Sequence, residues 1–179
     1  VDQDALPLHV SVTAIPKLTS CFGKNGKLTA ATTSAISDGA AGLLLSSDDS
    51  NRTALAKIMG YVSYAGAAND FPSAPAYAIE RLLKHLSWQV ESVDLYEINE
   101  AFASVPIFAT RYLGLDTSKV NVNGGACAIG HPIGASGARI VVSLIHALRT
   151  KKLKRGIAAI CIGGGEATAI AVEVVNDET

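Results

Sequence analysis

The sequence has few cysteines, almost no net charge and no long apolar run, and each of these features excludes a class of protein. Its three cysteines are too few for a disulfide scaffold and favour a reducing compartment. A net charge of −1 over 179 residues gives no electrostatic basis for binding nucleic acid or an anionic membrane. No run reaches the roughly 18 apolar residues that a membrane span needs. We therefore expect neither a nucleic-acid partner nor a membrane partner.

The most informative stretch is a glycine-rich loop between a strand-like run and a helix-like segment. Residues 119–122 form the run, and the loop ends at His131-Pro132. Glycine lets the backbone approach a ligand closely, and proline is well suited to the first turn of a helix. The pattern predicts an imidazole held at a strand-to-helix junction, beside backbone N–H groups.

Strand-like and helix-like segments alternate through the second two thirds of the chain, which predicts an α/β fold. Apolar residues at helical spacing predict helices after Ser73 and after Pro132, and Asn99 is expected to cap a further helix over 100–113. The expected architecture is a mixed five-stranded sheet with helices on its faces. Its strands are predicted at residues 57–64, 93–98, 119–122, 156–162 and 167–175.

The first third of the chain has a different character. Residues 29–41 are rich in small and hydroxyl side chains and predict a closely packed helix, and residues 42–45 predict a short buried strand. A complete layered unit begins near residues 50–55. We therefore divide the chain into residues 1–53, the incomplete end of another unit, and residues 54–179.

Three polar side chains, Asn99, His131 and Cys161, stand at predicted strand ends or in glycine-rich turns. Ligands collect at such ends in open α/β sheets. A thiol is a nucleophile or base once its pKa is lowered, an imidazole activates a thiol or donates to an oxyanion, and a carboxamide orients water. Together these groups suit acyl transfer or enolate chemistry.

Each of the three residues also has a purely structural interpretation. Asn99 is equally suited to capping a helix. His131 is equally well explained as a loop histidine, and Cys161 as a buried thiol of the core, where free cysteines are common. Cys21 and Cys127 are interpreted as structural.

Two other kinds of site are disfavoured. Cys127 and His131 lie four residues apart, but no second Cys/His pair with ligand spacing accompanies them. Gly125 and Gly130 have the spacing of a phosphate-binding P-loop, but His-Pro follows where that motif needs Lys-Ser/Thr.

Several segments together resemble the thiolase family. Residues 99–102 (Asn-Glu-Ala-Phe), 124–138 (Gly-Gly-Ala-Cys-Ala-Ile-Gly-His-Pro-Ile-Gly-Ala-Ser-Gly-Ala) and 161–165 (Cys-Ile-Gly-Gly-Gly) are similar to its three C-terminal signatures. Residues 29–41 resemble its pantetheine-loop segment. Residues 15–18 and 70–77 are most similar to the mitochondrial-type acetoacetyl-CoA thiolases. The implied fold is a thiolase-like layered α/β fold, with residues 1–53 as the end of the loop region and N-terminal domain.

The resemblance implies a role for each matching residue. His131 would activate the nucleophilic cysteine and line a first oxyanion hole, and Asn99 would hold the water that completes it. Cys161 would be the acid/base that removes a proton from the acetyl methyl group. The N–H of Gly163 would contribute to a second oxyanion hole, and Ser34 would contact the pantetheine of coenzyme A.

Further implied contacts concern the substrate and a potassium ion. The Phe71-Pro72 pair points to the subgroup that accepts branched substrates. Potassium would bind backbone carbonyls at Ala30, Ala31, Thr33 and Cys127. Thr32-Thr33 departs from the Asn-Ala that is usual in the potassium-binding enzymes.

The resemblance implies an acetyl-CoA C-acetyltransferase, which would catalyse thiolysis of acetoacetyl-CoA or the reverse Claisen condensation. The alternatives are a longer-chain 3-ketoacyl-CoA thiolase and a non-catalytic module that binds CoA thioesters. Coenzyme A would be substrate or product, with no covalent cofactor. The complete enzyme would be an intracellular homodimer or homotetramer of the mitochondrion or cytosol. Because no cysteine stands in the context of the acyl-accepting residue, we expect this chain to be the C-terminal part of a longer enzyme, inactive alone.

Overall fold

The computed structural model describes residues 11–47 and 54–175, and the predicted boundary at residues 53/54 falls at the edge of a stretch outside this range. The strands are β1 (Ala56–Ala65), β2 (Leu95–Ile98), β3 (Arg155–Ile162) and β4 (Glu166–Val174). The helices are α1 (Ala74–Leu86), α2 (Ser104–Leu113), the short α3 (Ala126–Ile129) and α4 (Ile133–Thr150). Single 3-10 turns lie at Ile15–Lys17, Ala68–Ser73, Val90–Ser92 and Thr117–Lys119.

The four strands form one mixed sheet in the order β1-β4-β3-β2. Strand β4 is antiparallel to both of its neighbours, whereas β2 and β3 are parallel. The chain crosses from β2 to β3 through α2, α3 and α4, as a parallel connection requires. The predicted α/β class with a mixed sheet is confirmed.

The prediction of a fifth strand at residues 119–122 is wrong. The segment makes only isolated parallel bridges, between Tyr96 and Val120 and between Val122 and Gly124. Asn121 has a left-handed backbone conformation (φ 48°), and its side chain makes the hydrogen bonds that strand pairing would otherwise make. Its carboxamide accepts from the N–H of Ile98 at 2.7 Å and donates to the carbonyl of Ile98 at 2.8 Å.

Two predictions in the first third of the chain are also wrong. Residues 29–41 are irregular instead of helical, because hydroxyl groups there satisfy the backbone locally. Thr32 Oγ1 accepts from the N–H of Thr29 at 2.8 Å, which is how threonine competes with a helix. Residues 42–45 pair with no other described strand, and Leu44 is 83% exposed.

The sheet separates two hydrophobic layers, because side chains alternate along each strand. In β3, Ile157 and Ala159 face the layer beneath α1 and α2, whereas Ala158 faces α4. The predicted face of α1 is confirmed, with Ile79, Leu82 and others buried. Within the described ranges, no helix combines the length and apolar character needed to cross a membrane.

Helix α4 packs closely on the sheet at Gly156 of β3. A Cβ built on Gly156 would lie 2.7 Å from Leu144 Cδ1 and 2.8 Å from Leu148 Cδ1. Both leucines are fully buried and belong to the layer under α4. The absence of a side chain at position 156 therefore sets the distance between α4 and the sheet.

We predict that Gly156→Ala destabilises the protein by about 1–3 kcal/mol, because overpacking forces α4 away from the sheet. The matched control is Gly137→Ala in α4, where an added Cβ meets no atom within 4 Å. That variant should instead gain up to about 1 kcal/mol from helix propensity. Urea unfolding followed by circular dichroism measures both, and equal stability of the two variants would contradict the packing argument.

Candidate active site

The imidazole of His131 is held on both sides by hydrogen bonds. Its Nε2 lies 3.2 Å from Asn99 Nδ2, and its Nδ1 lies 2.6 Å from Ser136 Oγ. Ser136 is fully buried in the first turn of α4, and its hydroxyl donates to the carbonyl of Pro132 at 3.1 Å. The ring therefore lies just before α4, as the sequence pattern predicts. It follows the short helix α3 instead of a strand, and side chains hold it in place of backbone N–H groups.

These contacts define the protonation state of the ring. Asn99 Nδ2 can only donate, so Nε2 of the neutral ring accepts from it and the proton sits on Nδ1, where it faces Ser136 Oγ. The lone pair of Nε2 then faces the amide of Asn99. Burial, and secondarily the positive charge of Arg139, lowers the pKa of His131 from its ordinary value of 6.5. The neutral imidazole presents Nε2 as a base.

The backbone at His131 is fixed by the segment that runs over the glycine loop. The N–H of His131 donates to the carbonyl of Ala35 at 2.8 Å, and His131 forms an isolated parallel bridge with Ile36. Gly130 is in the left-handed region (φ 87°), and a Cβ there would lie 2.4 Å from Ser37 Oγ. Glycine is therefore required at this position.

Asn99 continues β2 instead of capping the next helix, so the prediction of a cap is wrong. Its N–H donates to the carbonyl of Ala159 at 2.9 Å, and α2 begins only at Ser104. The side chain is 2% exposed, and its Oδ1 has no hydrogen-bond partner within the described residues. A buried acceptor without a protein partner is a position where water binds.

Cys161 lies near the carboxyl end of β3, opposite Ala167 of β4. Because β2 and β3 are parallel, Asn99 and Cys161 belong to the same edge of the sheet. The thiol is partly buried, and this burial raises its pKa. Gly163 follows in the exposed turn between β3 and β4, which ends at Gly165. The N–H of Gly66 donates to the Gly165 carbonyl at 3.0 Å and ties this turn to the end of β1.

Glu100 is a residue of this region that the sequence analysis did not single out. Its carboxylate accepts from Asn121 Nδ2 and from the N–H of Cys127, both at 3.0 Å, and leaves no room for a Cβ at Gly125. It therefore occupies the amino end of α3, where a phosphate would bind in a P-loop. The only hint in the sequence is its position inside the Asn-Glu-Ala-Phe segment.

Cys127 lies next to Glu100, and its thiol is unreactive. Burial and the negative charge of Glu100 raise the pKa of Cys127 to about 12. Within the described residues, no group of three or more His, Cys, Asp or Glu side chains has the arrangement of a metal site.

The predicted substrate-binding residues lie beside the Asn-Glu-Ala-Phe segment. The hydroxyl of Ser34 donates to the carbonyl of Ala101 at 3.0 Å. Thr33 forms an isolated antiparallel β-bridge with Phe102. The centroid of the Phe71 ring lies 6.0 Å from that of the Phe102 ring. Ala30 and Ala31 belong to the turn just before Thr33, and Pro72 lies in the 3-10 turn that also contains Phe71.

Comparison with known proteins places this geometry in a family. Residues 52–174 match the model of the thiolase C-terminal domain. The mitochondrial acetyl-CoA acetyltransferase A of Xenopus laevis is 46% identical over 97% of this chain and 42% of its own length.

Two solved structures are similar over almost the whole chain. The Bacillus anthracis acetyl-CoA acetyltransferase has a TM-score of 0.90 and 37% identity, covering 97% of this chain and 45% of that one. Human mitochondrial 3-ketoacyl-CoA thiolase in complex with CoA has a TM-score of 0.88 and 36% identity, covering 98% and 45%. The chain thus spans less than half the length of these relatives. Its match to the C-terminal domain model means that the chain belongs to the thiolase family.

Proposed function

We propose that this chain supplies the C-terminal part of an acetyl-CoA C-acetyltransferase, acting in thiolysis of acetoacetyl-CoA or in Claisen condensation of two acetyl-CoA molecules. The observation that carries the proposal is the Asn99–His131–Ser136 chain of hydrogen bonds on the same sheet edge as Cys161. A partly buried neutral base, a carboxamide with a free acceptor and a thiol are the groups that both half-reactions need.

In the first half-reaction, His131 Nε2 accepts the proton of an acyl-accepting cysteine outside these residues. The thiolate attacks the carbonyl carbon of acetyl-CoA, the C–S bond to coenzyme A breaks, and the CoA sulfur leaves with a proton returned by His131. Water held by Asn99 and the N–H of His131 in its protonated form stabilise negative charge on the thioester oxygen. Ser34 contacts the pantetheine chain from its place beside residues 99–102.

In the second half-reaction, the Cys161 thiolate removes a proton from the methyl group of a second acetyl-CoA. The resulting carbanion attacks the acyl carbon, and the C–S bond to the acyl-accepting cysteine breaks. That cysteine leaves as thiolate and takes the proton that Cys161 removed, so Cys161 is again a thiolate. The N–H of Gly163 contributes to the oxyanion hole for the tetrahedral intermediate. The raised pKa of Cys161 makes its thiolate a strong base, as removal of a carbon-bound proton demands.

The remaining features of the proposal concern assembly and environment. Residues 54–179 form the C-terminal domain and residues 1–53 the end of the loop region and N-terminal domain. The complete enzyme is a homodimer or homotetramer of the mitochondrion or cytosol. Within the site, Phe71 and Pro72 lie beside the acyl group of the substrate.

Potassium binding to carbonyls at Ala30, Ala31, Thr33 and Cys127 is also proposed. The buried Thr33 Oγ1 without a described partner supplies an oxygen suited to a hard cation. The segments before Thr33 and around Cys127 both contact residues 100–103, so they approach each other. Potassium would order the segment that carries Ser34.

A longer-chain 3-ketoacyl-CoA thiolase is the second candidate, favoured by the likeness to the human mitochondrial enzyme of that name. A binding module without catalysis is disfavoured, because binding alone needs neither the His131 base nor Cys161. Comparing thiolysis rates for C4 and longer 3-ketoacyl-CoA substrates separates the two enzymes.

We predict that Cys161→Ala, in the protein that contains this chain, lowers condensation by about 10²- to 10⁴-fold, the usual contribution of a general acid or base. Acyl transfer from acetyl-CoA to the enzyme should persist, because that step uses His131. His131→Ala, as the comparison, should lose both steps. Radiolabelled acetyl-enzyme and acetoacetyl-CoA formation measure them separately, and undiminished condensation by Cys161→Ala would refute its role.

The first half-reaction should depend on pH through His131. Its pKa is lowered, so the neutral base is still present below the ordinary value of 6.5 and is lost as the pH falls through the lowered pKa. We expect the acid limb of CoA exchange between acetyl-CoA and free CoA to have its midpoint below pH 6.5. A midpoint above 6.5 would argue against His131 as the base.

The 179-residue chain alone should not complete thiolysis of acetoacetyl-CoA. Cys127 and Cys161 both have raised pKa values, so neither presents a thiolate at neutral pH without activation. Loss of acetoacetyl-CoA with stoichiometric appearance of acetyl-CoA is the assay. Multiple turnovers by the isolated chain would show that its own residues include the acyl acceptor.

A further inference from the structure

A small polar cavity lies behind Asn99, on the side of the sheet that faces α4. It has a volume of about 60 Å³ and is lined by Glu97, Glu100, Arg139 and Ser143, among others. Glu97 precedes Asn99 by two residues on β2, so both face α4, and it is only 6% exposed. Buried charges need partners, so this cavity requires an explanation.

Arg139 connects the cavity to the catalytic imidazole. Its Nη1 donates to the carbonyl of Gly130 at 2.9 Å, and this carbonyl belongs to the peptide group that leads into His131. The N–H of the same peptide donates to the Ala35 carbonyl at 2.8 Å, so Arg139 anchors its other polar group. The guanidinium therefore helps to set the direction from which the ring enters the site.

Glu97 is the carboxylate available to balance Arg139. Glu100 already accepts from Asn121 and from the N–H of Cys127. Glu97 has no direct side-chain hydrogen bond within the described residues, yet the charges of Glu97 and Glu100 both favour the protonated form of Arg139. Glu97 thus acts across the cavity and not by direct contact.

The cavity is large enough for water to transmit this interaction. A water molecule needs about 10–15 Å³ of such volume and two to four polar partners. Asn99 also lines the cavity, and its Oδ1 is buried without a protein partner. In agreement with this setting, burial and the charge of Glu100, partly opposed by Arg139, raise the pKa of Glu97 to about 7.

We propose that Glu97 and Arg139 are positioning residues for the acyl-transfer site: Arg139 fixes the Gly130–His131 peptide, and Glu97, through water in the cavity, balances Arg139 and orients the Asn99 carboxamide. This rests on the proposed function. The charged groups that face the cavity are Glu97, Glu100 and Arg139, and His131 lies beyond Gly130.

The test measures kcat, KM and the pH profile of thiolysis by the protein that contains this chain. Glu97→Gln and Arg139→Gln should each lower kcat by about 10- to 100-fold, as expected for displaced catalytic groups, with KM nearly unchanged because neither residue is assigned a contact with substrate. The double variant should lose little more than the worse single variant, because the two residues act as a pair. Arg139→Lys, which keeps the charge, should recover part of kcat. The control is Glu80→Gln, an exposed i,i+4 ion-pair partner of Lys84.

A second measurement is independent of activity. Because Arg139 lowers the pKa of His131, Arg139→Gln should raise the midpoint of the His131 ring titration seen by NMR, whereas Arg139→Lys should leave it close to that of the parent. The proposal is overturned if this midpoint does not move, or if Glu97→Gln has the kcat of Glu80→Gln. An inactive parent protein would instead refute the proposed function, and the titration would still decide whether Arg139 acts on His131.

Discussion

The parallel pairing of β2 with β3 is the constraint on which the site depends. Strand β2 has only four residues, so its position must be fixed from both ends. At its start, the Asp94 carboxylate accepts from the N–H groups of Lys154 and Arg155, at 3.0 and 2.8 Å. At its end, Asn121 binds both backbone polar groups of the last residue, Ile98. With the register held in this way, two residues 62 positions apart, Asn99 and Cys161, share one edge.

The imidazole reaches the same site from the other direction, through packing against glycine. Gly130 and Gly125 leave space for a serine hydroxyl and a carboxylate, and Gly156 lets α4 lie close to the sheet. Each missing side chain admits a neighbour whose position fixes part of the site. The geometry of the candidate site therefore depends as much on where side chains are absent as on Asn99, His131 and Cys161. The same packing explains why Gly125 and Gly130 have the spacing of a P-loop although the loop holds the carboxylate of Glu100.

Sequence patterns were sufficient for the parts of the fold that repeat. Ile79 and Leu82 recur at helical spacing, which predicts α1, and the apolar runs of β3 and β4 were equally clear. The patterns failed at residues 29–41 and 119–122, where side chains of Thr32 and Asn121 take over backbone hydrogen bonds. Propensity and period do not register such exchanges. Thr32 bonds to a neighbour three residues away, and Asn121 bonds to a strand 23 residues away.

The site was predictable to a similar extent. The glycine-rich loop identified His131, and strand ends identified Asn99 and Cys161, but not the groups that hold them. Ser136, one turn into α4, was visible in principle from its spacing to His131. Glu97 and Arg139 were not, because a residue in a strand and a residue in a helix line one cavity only after the sheet and α4 have packed together.

The carboxamide at position 121 limits how this family member can vary. One short side chain must accept from the N–H and donate to the C=O of the same residue, Ile98, while its own backbone is left-handed. Aspartate lacks the donor, serine lacks the reach, and glutamine adds a methylene to a side chain whose length fits. In a library randomised at this codon and selected for folding, a single amino acid should dominate, even though the residue performs no chemistry.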